Sequence, residues 1–115
     1  MQYMLLIYAQ EAGFQDLTEA QASAAMASYG AYSEALKKAD VLLASNRLKP
    51  VATATTVRTT DGKTEVLNGP YAETKEQLGG YYLISVPDLD AALSWAARCP
   101  GASHGKVEIR PIWPM

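Results

Sequence analysis

With one hairpin set aside, the chain reads strand, helix, strand, strand, helix, strand, and few compact folds accept that order. Tyr3 to Ala9 is a short aromatic and aliphatic run with the composition of a strand. Glu11 to Leu17 is a polar connection. Thr18-Glu19-Ala20-Gln21 then matches a capping box, in which the hydroxyl takes a free backbone amide and the Gln reaches back to another. Glu19 to Ala39 is built from good helix formers, and Ala22, Ala25, Met26, Tyr29, Tyr32 and Leu36 recur at helical steps to form one buried stripe. Val41 to Leu48 is a second strand, closed by Lys49-Pro50. Gly80 to Val86 is a third, stopped by Pro87. Asp88 is placed to cap a helix over Leu89 to Arg98, with Leu89, Ala92, Leu93 and Ala96 on one face. Cys99-Pro100-Gly101 breaks that helix, and Lys106 to Trp113 is the last strand. The segment set aside is Thr- and Val-rich from Ala52 to Thr60, turns at Asp61-Gly62 and returns over Lys63 to Leu67. It reads as an exposed hairpin appended to the main sheet.

This order predicts an α+β, ferredoxin-like sandwich in a single domain, residues 1–115, with both helices on one face of a mostly antiparallel sheet. The other face is then a problem. Met4, Leu6 and Tyr8 share one side of the first strand, Leu5 and Ile7 the other, and neither set is polar enough to be left in water. The simplest remedy is a homodimer whose two sheets pack against each other.

Bulk properties exclude several classes. A chain of 115 residues fits one domain, and at this size it buries roughly two-thirds of its unfolded surface without staples. A net charge of −2, with acids and bases interspersed, offers no direct attraction to nucleic acid or to an anionic membrane. Cys99 is the one cysteine, so no intrachain disulfide can form; it reads as a small buried apolar residue near a helix end. No run approaches the ~20 apolar residues of a membrane span. The apolar start, Met1 to Tyr8, lacks a basic leader and a cleavage site, so a cytoplasmic location is expected. No cofactor is expected, because nothing resembles a dinucleotide fingerprint, a phosphate loop or a nucleophile elbow. No metal is expected either, since the lone His104 has no spaced partner.

The densest chemistry lies between Asn68 and Leu83, where a turn, a charged cluster, a double glycine and an aromatic strand follow one another. Glu73, Lys75 and Glu76 support two readings. One is a polar loop at a pocket mouth, with Lys75 gripping an anion and Glu76 moving a proton; the other is a solvated turn before a strand. Gly79-Gly80 fits a bulge or a close chain approach. On the final strand Glu108 and Arg110 are two apart and share a face, with Val107, Ile109 and Ile112 opposite or at the edges. If the apolar side meets the helices, Glu108 and Arg110 fall on the dimer side, either as an interfacial ion pair or as a carboxylate beside a substrate-binding Arg. Tyr8, Tyr81 and Arg47 are candidates to join them as ligand contacts. His104, in the loop before the last strand, is a candidate general base.

Several stretches together resemble the YCII-related family, in the branch named for an Asp-Gly-Pro-Phe motif. They are Tyr3 to Tyr8, Ala52 to Arg58, Gly69 to Leu83, Val86 to Pro100 and Val107 to Pro111. The resemblance spans nearly the whole chain. It implies a ferredoxin-like subunit in a dimeric α+β barrel, and it implies no single reaction: some relatives are thought to be enzymes, others are linked to sigma-factor-type transcription proteins. The signature itself departs from the pattern, reading Asn68-Gly69-Pro70-Tyr71. An Asn has no useful proton affinity near neutral pH but shapes a turn as Asp does, so the substitution favours a structural role for the motif. The His-Asp pair of the other branch has no counterpart. Two functions follow as expectations. The first is a homodimer holding a small polar or aromatic molecule at the sheet face, with Glu76, Glu108 and His104 as catalytic candidates for a cofactor-independent step. The second is a non-catalytic dimerising or regulatory module associated with transcription initiation.

Overall fold

The structure, a computed structural model, describes residues 1–114. Its elements run β1 (Gln2–Ala9), α1 (Ala12–Gln15), α2 (Glu19–Lys38), β2 (Leu42–Arg47), a 3-10 turn (Val51–Thr53), β3 (Thr55–Thr60), β4 (Lys63–Asn68), β5 (Gln77–Ser85), α3 (Leu89–Arg98), α4 (Gly101–His104) and β6 (Lys106–Pro111). Four strands form one antiparallel sheet in the order β2-β5-β1-β6. With helices between β1 and β2 and between β5 and β6, the arrangement is mixed α+β and compatible with the ferredoxin-like pattern.

Alternation along the strands decides which face is covered. Tyr3, Leu5 and Ile7 of β1 are buried, as are Tyr82 and Ile84 of β5, and they meet Tyr32 and Leu36 of α2 and Ala92 and Ala96 of α3 in one core. Two aromatic contacts knit the layers: the Tyr32 ring stands edge-on to Tyr82 at 5.2 Å, and the Tyr32 hydroxyl donates to the Trp95 carbonyl at 2.6 Å. The capping box forms as the sequence predicts. The Gln21 amide donates to Thr18 Oγ1 at 3.1 Å, and the Thr18 amide donates to Gln21 Oε1 at 3.0 Å. Asp88 caps α3 by accepting from the Ala91 amide at 2.9 Å.

The helical stripes are narrower than expected. In α2 only Tyr32 and Leu36 are buried, and Met26 is 69% exposed. A twenty-residue helix is about 30 Å long, whereas the six residues of β2 beside it span about 20 Å. The first half of α2 therefore outruns its sheet. In α3 only Ala92 and Ala96 are fully buried, Trp95 packs half-buried against the core, and Leu89 and Leu93 stay half in water. Two single-turn helices, α1 and α4, stand where only connections were expected. α4 begins after Pro100, whose fixed φ suits a helix start.

A bulge interrupts the β1–β5 ladder, where Ile7 faces Gly80 but Tyr8 faces Leu78. Gly80 is required there, since a Cβ would lie 2.8 Å from the Asn46 carbonyl oxygen of β2. This is the close chain approach that the double glycine predicts.

β3 and β4 form a separate two-stranded sheet, with Thr55 opposite Asn68 and Thr60 opposite Lys63. Asp61 (φ 50°) and Gly62 (φ 77°) are both left-handed, as a tight hairpin turn between twisted strands demands. The arm stands off the body: its strands make no extended contact with other elements among the described residues. The radius of gyration is 16.2 Å, against about 13 Å for a compact chain of this length.

Candidate functional site: the open sheet face and its margin

The face of the sheet turned away from the helices carries Met4, Leu6 and Tyr8 from β1. Register then fixes their neighbours. Leu6 lies between Tyr81 and Glu108, Met4 between Leu83 and Arg110, and Tyr8 between Leu78 and Lys106. β2 extends two of these rows, with Asn46 beside Tyr81 and Ala44 beside Leu83. The two central strands are thus mostly apolar and half-buried, while the β6 side is charged and exposed. The smallest extent of the molecule is 19 Å, the depth of one sheet and one helix layer, so among the described residues no element covers that face.

Two polar pairs sit on it. The Tyr8 hydroxyl donates to Glu108 Oε1 at 3.3 Å, and Asn46 Nδ2 donates to the Tyr81 hydroxyl oxygen at 2.8 Å. The Tyr8 pKa is raised, first by desolvation and then by the Glu108 charge and its hydrogen bond; Arg110 pulls the other way and Tyr71 adds a smaller upward push. Tyr8 is therefore held as the donor of this hydrogen bond, with a Glu108 oxygen as its acceptor.

The loop before β5 borders this face. Lys106 Nζ donates to Glu76 Oε1, joining the start of β6 to that loop. The partner of Glu76 is thus Lys106; Lys75 is exposed and takes part in no ion pair among the described residues. Gln77 ties the loop further, donating to the Thr74 carbonyl at 2.7 Å and accepting from the Glu11 amide at 3.0 Å. Glu11 in turn accepts from the Val51 amide at 2.9 Å. Between the 3-10 turn and this loop lies a cleft of about 380 Å³ lined by Val51, Ala52, Pro70, Ala72, Glu73, Thr74 and Gln77. A second, of about 370 Å³, lies over the helices beside Tyr32 and Arg98, whose guanidinium sits 4.3 Å over the Trp95 ring. Neither is on the open face.

The tetrapeptide motif serves the root of the arm. Asn68 ends β4, exposed and paired with Thr55. The Gly69 amide donates to the Ala54 carbonyl at 2.7 Å, and its carbonyl accepts from Thr56 Oγ1 at 2.8 Å. Pro70 forms part of the cleft wall, and Tyr71 is 86% exposed.

A model of the YCII-related domain matches residues 1–115. The chain belongs to the YCII-related family. An uncharacterized protein of Rhizobium meliloti (strain 1021) is 37% identical to it over 114 residues, covering 97% of this chain and 92% of the relative.

Within this YCII-related domain Glu108, Arg110, Tyr8 and Tyr81 come together on the open face, and Glu76 stands at its margin through Lys106. Two other candidates do not join them. Arg47 pairs with Gly80 and so belongs to the helix-covered side, because a bulge between Leu42 and Ala44 shifts the register of β2. The same slip turns Asn46 to the open face instead. His104 ends α4, exposed, and α4 packs on the helix side, where a Cβ on Gly101 would lie 2.7 Å from Ile7 Cγ2. Lys106 is a residue the sequence reading overlooked, although the two-residue period that joins Glu108 and Arg110 reaches it as well. Cys99 is buried and its thiol pKa is raised by desolvation, with hydrogen bonds from Gly101, Tyr29 and Ala102 opposing, so it is a packing residue. Among the described residues no group of three or more His, Cys, Asp or Glu side chains is placed to hold a metal ion. No helix among them is long and apolar enough to cross a membrane.

Proposed function

We propose that this protein, of the Asp-Gly-Pro-Phe-type branch of its family, is a homodimer. Its open sheet faces meet to enclose a pocket for a small polar or aromatic molecule. Arg110 supplies the charge that holds an anionic group, Tyr8 and Tyr81 supply hydroxyls, and Glu108 is the proton acceptor for a cofactor-independent acid–base step. One observation carries the reading: an apolar sheet centre with no cover among the described residues, bordered by Lys106, Glu108 and Arg110. A surface of that kind marks a place where a partner or a ligand docks, and burial there would strengthen the Tyr8–Glu108 pair.

The test is a thermal-unfolding screen with small carboxylates and aromatic acids, benzoate and succinate among them. At least one probe is expected to raise the Tm of the native protein and to lose its effect in Arg110→Ala. A flat response to every probe would contradict a pocket and favour a dimerising regulatory module.

A further inference from the structure

The β3–β4 arm presents surface that its own chain leaves bare. Val57 and Val66 face each other across the ladder and are 59% and 65% exposed. A two-stranded hairpin alone in water is marginal at best, yet this one has six paired positions, a left-handed Asp-Gly turn and a cross-strand Arg58–Glu65 ion pair at 3.7 Å. That local chemistry sets the shape of the arm, and the bare Val57–Val66 pair is the surface left for something outside the protomer to cover.

A second copy of this chain is what fits. The arm's root is continuous with the margin of the open face: the loop that leads from Gly69 to β5 carries Glu76, which is bound by Lys106 in the β6 row. The open face is also too small by itself. Strands of six, nine, eight and six residues, about 4.8 Å apart and about 20 to 30 Å long, give about 460 Å² in plan, against the ~800 Å² per partner of a standard interface. The molecule is a plate of 47 × 44 × 19 Å, so the arm lengthens the plate sideways and does not fold over its own sheet. We infer that the arm is an exchange device: each copy lays the Val57–Val66 side of its hairpin on its partner, completing the interface begun by the open sheet faces. This rests on the homodimer proposed above.

Sedimentation and hydrogen exchange test it together. Because both valines are exposed in the lone protomer, Val57→Asn with Val66→Asn leaves the body able to fold. The double variant is expected to weaken the dimer about a hundredfold, with the melting of the dilute monomer unchanged. In the native protein the β3 and β4 amides are expected to be protected in the dimer and to lose that protection on dilution. A variant that dimerises with native affinity, its arm unprotected, overturns the inference, leaves the arm to another partner and spares the sheet-face dimer. A native protein that stays monomeric as concentration rises overturns both.

Discussion

Gly80 has no spare room: a methyl group there would press on the Asn46 carbonyl, a backbone atom that cannot swing away. Gly80→Ala is expected to lower stability by on the order of 2 kcal/mol in urea unfolding. Leu36 and Met26 make a sharper pair. Both belong to the helical stripe read from spacing, but only Leu36 is fully buried, so Leu36→Ala should cost about 3 kcal/mol and Met26→Ala less than about 0.5 kcal/mol. Spacing shows which residues share a helix side; it does not show how far the sheet beneath extends. The tyrosines add a pH signature. Desolvation, with smaller contributions from Cys99 and Tyr82, pushes Tyr29 up to about 12, and burial raises Tyr32 and Tyr82 as well. Unfolded tyrosines lose their protons near pH 10, so above that pH the unfolded state binds fewer protons than the folded one. The contribution is intact below about pH 10 and fades as pH rises toward 12. The share of the tyrosinate absorbance that belongs to Tyr29, Tyr32 and Tyr82 is expected to appear together with unfolding, not before it.

Elements were legible where a local rule determined them. The capping box, the Asp88 cap and the Asp61-Gly62 turn each rest on a few adjacent residues, and each forms as read. The face of β6 was legible from its two-residue period. The face of β2 was not, because the bulge at Leu43 is set by pairing with β5 and leaves no local mark; that one slip exchanges Arg47 for Asn46. The single turns α1 and α4 fall below the length at which periodicity can be seen. The first half of α2 gives this scale its prediction. It carries the capping box but no buried side chain, so Thr18→Ala removes about 1 kcal/mol from that end. The loss should appear as faster amide exchange in the first turns of α2, with little change in global unfolding.

At the scale of the molecule the fold leaves one side unfinished. Core, helices and strand order account for one face of the sheet, and Met4, Leu6, Leu78 and Leu83 are half-buried on the other with none of the described elements above them. The candidate site lies there, along a charged row that the final strand supplies. The facing of its last strand, β6, was legible from alternation; its roof was not, because a single chain does not encode its partner's position except through the apolar surface it leaves. Leu6→Lys is expected to convert the protein to a monomer with its thermal unfolding cooperative, since Leu6 lies outside the core; gel filtration with light scattering reads the mass. Small-angle scattering of the native protein reaches the central claim most directly. The account predicts a particle of two 12.4 kDa chains with about twice the 19 Å thickness of the protomer. A particle of one chain, 19 Å thick at every concentration, would contradict it.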